Sequence, residues 1–136
     1  MKPLSHIIET CLYVDDLAAA EHFYSEVLGL ELFSKEAGKF VFYKMTEAML
    51  LIFDPRASDG AAHELPDHGA TGPGHICFRM DDAEFPAWRE QLAKHGVAVE
   101  MEFTWPNGAR SLYFRDPAGN SLELAPWRIW DAENAP

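Results

Sequence analysis

An internal repeat constrains this chain more than any other feature of its sequence. Residues 9–16 are Glu-Thr-Cys-Leu-Tyr-Val-Asp-Asp, and residues 75–82 are His-Ile-Cys-Phe-Arg-Met-Asp-Asp. Each block is predicted to begin with a β-strand, because alternate side chains can form one apolar face that is buried and one face that is not. Each block then ends in two aspartates, either of which can accept hydrogen bonds from the free N–H groups at the start of a helix. The repeat therefore predicts the same supersecondary unit twice.

The first half of the chain continues this unit with a helix and further strands. A strand at 7–14 leads into a helix that ends at Gly29, and strand-like runs follow at 30–34, 39–45 and 48–53. The middle run is rich in aromatic and β-branched residues, which strands favour. Glycine is a common helix end because it adopts the left-handed backbone conformation without steric strain. The predicted order is β-α-β-β-β.

The second half repeats that order. A strand at 75–80 leads into a helix that ends at Gly96, and strands are predicted at 97–103, 111–115 and 121–125. The turn Asp-Pro-Ala-Gly-Asn joins the last two strands into a hairpin, since these residue types favour tight turns. One helix covers one face of a small sheet, and the other face needs a partner.

These elements predict an α+β fold, in which two βαβββ modules form a curved mixed sheet around a shared cavity. We assign the modules to about residues 6–54 and 74–127 of a single domain, because 136 residues are too few for two independent ones. The segment 55–73 is rich in turn formers and is predicted to link the modules. We expect His63 and His68 of this linker to be solvated, although the linker is long enough for them to reach a site.

The overall charge limits the class of partner. The net charge of −11 disfavours nucleic acid and anionic membrane surfaces as partners. No apolar run approaches the length of a membrane span, and two cysteines are too few for the disulfide framework of a small secreted protein. We therefore expect a cytoplasmic protein whose partner is a small-molecule substrate.

Strand parity predicts which side chains face the cavity. The apolar face of each strand must meet a helix, and so the other face turns inward. In module one the inward face carries Glu9, Cys11 and Tyr13. In module two it carries a larger polar set, namely His75, Cys77, Arg79, Ser111, Tyr113, Arg115 and Glu123.

Three of these residues, Glu9, His75 and Glu123, are candidate metal ligands. A carboxylate rarely enters an apolar strand without a partner. Two carboxylates and one imidazole suit a divalent first-row metal such as iron, nickel, zinc or manganese. Such a metal acts as a Lewis acid that polarises a carbonyl or stabilises an enolate. A carboxylate that is not bound to the metal can act as a base, and so Glu9 and Glu123 are also candidate catalytic residues.

Five further residues are candidate substrate contacts. Tyr13, Trp105 and Tyr113 offer aromatic surface, and Arg79 and Arg110 could bind an anionic group. For the arginines, simple surface exposure is the commoner explanation.

The second module also resembles a known family. Residues 75–82, and the segment 108–124 with its motif Arg-Asp-Pro-Ala-Gly-Asn-Ser-Leu-Glu-Leu, resemble the vicinal oxygen chelate superfamily. That superfamily includes glyoxalase I, extradiol dioxygenases, methylmalonyl-CoA epimerase, fosfomycin-resistance enzymes and metal-free bleomycin-resistance proteins. The resemblance extends over about residues 6–127. It implies the paired-module fold and metal chemistry, whereas many different activities share the motif.

The resemblance also implies where the ligands lie. Family members bind metal at the start of the first strand and in the last strand of each module. These positions are Glu9 and either Leu51 or Ile52 in module one, and His75 and Glu123 in module two. Because the fourth position is apolar, the resemblance implies three protein ligands, unlike glyoxalase I. It further implies a homodimer whose cavity is shared between chains, so that Glu9 meets the other two ligands of the partner subunit.

Two functions follow from these residues. The first is a metal-dependent enzyme that acts on a small substrate with vicinal oxygens, by lyase, isomerase or dioxygenase chemistry. The alternative is a metal-free binding protein of the bleomycin-resistance type, which sequesters an aromatic or cationic molecule. The three candidate ligands favour the enzyme, because the binding proteins of the family generally lack inward metal ligands.

Overall fold

Each half of the chain forms a four-stranded mixed β-sheet. The computed structural model describes residues 1–57 and 65–135. The chain divides into two compact units, Met1–Gly72 and Pro73–Pro136. Each unit has the predicted order of elements, and the prediction of an α+β fold built from two βαβββ modules is confirmed.

In the first unit, the helix is followed by three antiparallel strands, and the first strand pairs in parallel with the last. The strand order across the sheet is β1-β4-β3-β2. The elements are β1 (Glu9–Tyr13), α1 (Leu17–His22) with a π-helical extension (Phe23–Val27), β2 (Glu31–Glu36), β3 (Phe40–Lys44) and β4 (Met49–Phe53).

The second unit has the same topology, with strand order β5-β8-β7-β6 and β5 parallel to β8. Short 3₁₀ turns precede its helix and follow its last strand. The elements are β5 (His75–Arg79), a 3₁₀ turn (Asp82–Glu84), α2 (Phe85–Lys94), β6 (Val99–Thr104), β7 (Arg110–Arg115), β8 (Ser121–Ala125) and two further 3₁₀ turns (Trp127–Trp130 and Ala132–Asn134).

Aspartates start both helical segments, as predicted. The side chain of Asp16 accepts a hydrogen bond of 2.9 Å from a backbone N–H in the first turn of α1. Asp81 forms a capping box with Glu84, whose carboxylate accepts the Asp81 N–H at 2.7 Å. Gly29 and Gly96 follow the helices with φ of 67° and 69°, a conformation that costs other residues steric strain. Local sequence therefore sets where each helix begins and ends.

The helix side of each sheet forms the core of its unit. In the first unit, Tyr24 from the π-helical segment packs against Tyr43 of β3 with ring centroids 5.9 Å apart, and both residues are fully buried. In the second unit, Leu92 of α2 and Phe114 of β7 are fully buried. The opposite face of each sheet is left for other contacts.

Some strand ends differ from the predictions by one or two residues. β1 begins at Glu9 rather than at residue 7, because its pairing with β4 ends at a hydrogen bond of 2.8 Å from Met49 N–H to the Ile8 carbonyl. Ile7 and Ile8 are consequently exposed. β6 begins at Val99 rather than at residue 97, and a register shift follows at its first residues.

Asp54 and Arg56 order the start of the linker. Arg56 donates hydrogen bonds to the buried Asp54 carboxylate from Nε at 2.9 Å and from Nη2 at 2.6 Å. Its Nη2 also donates to the Asp15 carbonyl at 3.2 Å, which ties the linker to the loop before α1. His63 of the linker lies outside the described residues. In the described ranges, the helices are all too short or too polar to cross a membrane.

Candidate functional site

The inward face of the second sheet is built by strand register. Cys77 of β5 lies opposite Glu123 of β8, which lies opposite Tyr113 of β7. His75 likewise lies opposite Ser121. Because directly paired residues point to the same side of a sheet, these five side chains share one face, as strand parity predicts.

Glu123 is the buried charge of this face. Only 5% of its surface is exposed, although carboxylates are almost never buried without a partner. Tyr113 donates a hydrogen bond of 2.8 Å to Oε1 of Glu123. The second carboxylate oxygen, Oε2, lies 3.5 Å from Nε2 of His75. One oxygen is thus oriented by a phenol and the other faces an imidazole.

His75 is held by the backbone of the neighbouring strand. Its Nδ1 lies 3.0 Å from the carbonyl oxygen of Ser121. Because a carbonyl can only accept, Nδ1 must carry the hydrogen, and in the neutral ring Nε2 then offers a lone pair. That lone pair lies on the side of the ring where Oε2 of Glu123 is found. The imidazole is oriented in the way that is typical of metal-binding histidines.

Two neighbours of Glu123 remain protonated at neutral pH. Burial, followed by the hydrogen bond and charge of Glu123, raises the pKa of Tyr113 to about 12. Burial, followed by the charge of Glu123, raises the pKa of the Cys77 thiol to about 12. The phenol therefore serves as a hydrogen-bond donor, and the thiol is a small neutral group on the face.

A compact turn before β8 aims Glu123 and His75. Asp116 is buried, and its Oδ1 accepts the N–H groups of Ala118 at 3.0 Å and Asn120 at 2.8 Å. The Asn120 side chain donates to Asp116 at 2.8 Å and accepts the Gly74 N–H at 2.7 Å. The last bond ties the start of β5, where His75 lies, to the start of β8. From sequence alone, this segment was interpreted only as a hairpin turn and a family motif.

A groove lies beside Tyr113 on the same face. It has a volume of about 370 Å³. The predicted substrate contact Trp105 forms one wall, where its Nε1 donates to Ser111 Oγ at 2.9 Å. The lining residues are Glu100, Met101, Phe103, Trp105, Tyr113 and Ser121. Met101 and Phe103 were not predicted, although the two-residue period of β6 places them opposite Tyr113 and Ser111.

The inward face of the first sheet is aromatic and apolar around Leu51. Leu51 lies opposite Cys11, just as Glu123 lies opposite Cys77. Leu51, rather than Ile52, is therefore the repeat equivalent of Glu123, because Ile52 lies opposite Leu12 on the buried helix side. A cluster of rings occupies the rest of the face, formed by Tyr13, Phe40, Phe42, Phe53 and His68.

His68 is brought to this face by the linker. Its Nδ1 lies 2.7 Å from the hydroxyl of Tyr13, and its ring packs edge-on against Phe53 with centroids 4.9 Å apart. His68 is exposed, as the sequence predicts, and it also contacts Tyr13 and Phe53. The length of the linker was the only signal for such a contact.

The arginines and Glu9 occupy separate places. Arg79 is largely exposed and lies 3.5 Å from Asp81. Arg110 is not brought to the inward face, because its guanidinium lies 3.8 Å above the ring of Phe85 at the start of α2, on the helix side of the sheet. Glu9 is exposed at the start of β1. Within residues 1–57 and 65–135, no group of three or more His, Cys, Asp or Glu side chains is placed to hold a metal ion. The three-ligand site stays a prediction.

A family model agrees with this architecture. The model of the Glyoxalase/Bleomycin resistance protein/Dioxygenase superfamily matches residues 4–124. The chain belongs to this superfamily. The match confirms the resemblance to the vicinal oxygen chelate superfamily, which includes the glyoxalases, dioxygenases and bleomycin-resistance proteins.

The chain is also similar to several solved structures. It is similar to a lactoylglutathione lyase from Agrobacterium tumefaciens, with 48% identity and a TM-score of 0.91 over 96% of this chain and 99% of that one. A glyoxalase/bleomycin resistance protein/dioxygenase from Nocardioides has 23% identity and a TM-score of 0.73, over 93% and 86% of the chains. The fosfomycin resistance protein FosX from Listeria monocytogenes has 21% identity and a TM-score of 0.66, over 92% and 91%. The last two likenesses show the shared fold.

Proposed function

We propose that this chain is a metal-dependent enzyme that acts on a small substrate with two adjacent oxygen atoms. The observation that carries the proposal is the pair of His75 and Glu123, in which an oriented imidazole nitrogen lies 3.5 Å from a buried carboxylate oxygen. A buried carboxylate opposite an imidazole lone pair is unfavourable unless a proton or a metal cation lies between the two groups. The pair supplies two donor atoms that a metal ion could bind together.

The donor atoms of this pair fit a divalent first-row metal. Imidazole nitrogen together with carboxylate oxygen suits iron, nickel, zinc or manganese. The hydrogen bond from His75 Nδ1 to Ser121, and that from Tyr113 to Glu123, are the outer contacts that orient such ligands. A bound metal supplies Lewis acidity, which polarises a carbonyl of the substrate.

The two carboxylates, Glu123 and Glu9, have different proposed roles. The hydrogen bond from Tyr113 fixes the orientation of the Glu123 carboxylate, and the burial of Glu123 keeps water away from it. We therefore assign Glu123 to holding the metal. Glu9 occupies the repeat-equivalent position of His75 and is exposed. Glu9 would help to hold the metal, and its carboxylate would be the base that accepts a proton from the carbon next to a substrate carbonyl. In the return step the protonated Glu9 carboxyl would give the same proton back to the neighbouring carbon of the substrate.

We also propose that Glu9 comes from a second copy of the chain. A homodimer would then be required for the complete set of Glu9, His75 and Glu123. The superfamily resemblance motivates this arrangement, and the exposure of Glu9 is compatible with it.

Among the possible reactions, we favour lyase or isomerase chemistry. The similar protein from Agrobacterium tumefaciens, 48% identical, is named a lactoylglutathione lyase. Proton transfer next to a carbonyl needs only a Lewis acid and a carboxylate base, both of which the proposed site provides. Dioxygenase chemistry is the alternative. The identity of the bound metal separates the two, because iron favours oxygen chemistry and zinc or nickel favours isomerisation.

Metal content tests the proposal. We expect the purified, untagged protein to hold one divalent metal per chain by elemental analysis. Glu123→Gln should lower the occupancy at least about tenfold, because it removes a charged ligand. Glu102→Gln is a matched control on β6, since Glu102 lies opposite Leu112 and so points to the other side of the sheet. Equal metal content in all three proteins, or none in the wild type, would refute the proposal.

The metal-free binding protein is a second candidate, and the aromatic face of the first sheet favours it. Tyr13, Phe40, Phe42 and Phe53 present rings suited to an aromatic or cationic ligand. This function predicts ligand binding that is unchanged by a chelator, whereas the enzyme loses its activity and regains it when metal is returned.

A further inference from the structure

The groove beside Tyr113 has a preformed apolar wall. Met101 and Phe103 remain 55% and 42% exposed, which is unusual for large apolar side chains placed side by side. Phe103 meets the ring of Trp105 edge-on, with centroids 5.0 Å apart. Trp105 is fixed by its hydrogen bond to Ser111 and by packing against a buried cluster that contains Ile129. The groove therefore exists before any ligand enters it.

The groove adjoins the candidate metal site through two residues that line it, Tyr113 and Ser121. The Tyr113 hydroxyl donates to Glu123 at 2.8 Å, and the Ser121 carbonyl oxygen lies 3.0 Å from Nδ1 of His75. A substrate whose oxygens lie near Glu123 would therefore direct its next substituent toward Met101 and Phe103. The volume of about 370 Å³ lies within the range of small-molecule sites and admits an aromatic ring.

The charges around the groove disfavour an anionic substituent. Of the described residues that line it, Glu100 is the only charged one. Its two oxygens accept hydrogen bonds from Arg115 at 2.6 Å and 3.0 Å, and Arg115 also donates to the Gly119 carbonyl. A carboxylate in the groove would lose its hydration and would have to displace Glu100 to gain a cation.

From these observations we propose that the groove binds an uncharged aromatic or bulky apolar substituent of the substrate. This inference rests on the proposed function and narrows the substrate class. The substrate is a compound with adjacent oxygens that carries such a substituent next to them. The occupant follows from the position of the groove beside Tyr113, which donates a hydrogen bond to Glu123, and from the absence of a cationic side chain among the described lining residues.

Two matched chelators test the inference. Acetohydroxamate and benzohydroxamate bind metals through the same two adjacent oxygens and differ in a methyl against a phenyl group. On the zinc-loaded protein, calorimetric titration should give a Kd for benzohydroxamate at least about tenfold lower, from burial of the ring. Phe103→Ala and Met101→Ala should each reduce this ratio about threefold or more. Phe33→Ala, which removes an exposed phenylalanine of the first sheet, should leave the ratio unchanged.

A negatively charged chelator tests the claim that the groove disfavours an anionic substituent. We expect 4-carboxybenzohydroxamate to bind more weakly than benzohydroxamate, and equal or tighter binding would overturn the claim of an uncharged substituent. Equal affinity for the methyl and phenyl ligands on a zinc-loaded protein would overturn the inference and leave the metal site intact. A change of oligomeric state in Phe103→Ala with an unchanged ratio would also overturn it, by showing that a second copy covers the groove. A protein that takes up no zinc would overturn both proposals.

Discussion

At the scale of single residues, the chemistry of this chain converges on Glu123. Its carboxylate is buried, yet each oxygen has a distinct neighbour, the Tyr113 phenol on one side and the His75 imidazole on the other. Such an arrangement is costly in an apolar strand and is retained where a charge is needed. The repeat-equivalent Leu51 shows that the fold itself does not require a carboxylate there.

Removal of the Tyr113 hydroxyl should weaken the site without unfolding the protein. In Tyr113→Phe, Oε1 of Glu123 loses its donor, and the carboxylate is less well oriented. We expect the affinity for zinc to fall about 10- to 100-fold, as is usual for outer contacts of metal ligands. Competition with a chromophoric chelator measures this change. An unchanged affinity, with an unchanged melting temperature, would show that the hydrogen bond has no role in metal binding.

At the scale of elements, the turn between β7 and β8 connects fold to function. Asp116 and Asn120 satisfy each other and the backbone, and Asn120 also holds Gly74 beside the start of β5. In Asn120→Ala, Oδ2 of the buried Asp116 and the part-buried Gly74 N–H each lose one hydrogen bond. We expect a loss of about 1–3 kcal/mol in the free energy of unfolding by urea, together with weaker metal binding. Glu90→Gln on the exposed surface of α2 is the control, and equal stability of the two variants would contradict this role.

The end of β4 should give the stability a dependence on pH. Hydrogen bonds from Arg56 lower the pKa of the Asp54 carboxyl below its ordinary value. A lowered pKa in the folded state contributes stability that is present above the ordinary pKa and is lost as pH falls through the folded value. We expect Asp54→Asn to melt a few degrees lower than wild type at pH 7. The difference should shrink below about pH 4, and a difference that stays constant from pH 7 to pH 3 would contradict the assignment.

The elements also show what sequence reasoning could reach. Strand parity depends only on the period of two, and it correctly placed Cys77, Tyr113 and Glu123 on one face. Register across strands depends on backbone pairing, and so the choice between Leu51 and Ile52 had to await the structure. The helix-side position of Arg110 was not predicted, because the predicted strand began at residue 111 and residue 110 was therefore assigned to neither face.

Contacts made by irregular segments were the hardest to predict. His68 reaches Tyr13 from a linker that has no periodicity, and the bonds of Asn120 join strands distant in sequence. Neither contact follows from local propensity, since each depends on where a loop returns in space.

At the scale of the whole molecule, subunit mixing tests whether the site is shared between two chains. The Glu9→Ala protein and the Glu123→Ala protein, each purified by itself, should fail to bind metal. The two variants are then refolded together in equal amounts. If Glu9 comes from the partner subunit, every mixed dimer regains one intact site of its two. Because random pairing makes about half of the dimers mixed, about a quarter of all sites should be restored. Elemental analysis of the mixture measures the restored fraction. No recovery in mixed dimers, separated by two different tags, would place all three ligands in one chain.

X-ray absorption spectroscopy of the bound metal tests the central claim most directly, because it reports the ligand atoms themselves. We predict that zinc in the wild-type protein is surrounded by one imidazole nitrogen, from His75, with oxygen atoms in the remaining positions. His75→Ala should abolish the imidazole signal. Sulfur ligation, which would implicate Cys11 or Cys77, or a spectrum without imidazole in the wild type, would contradict the account.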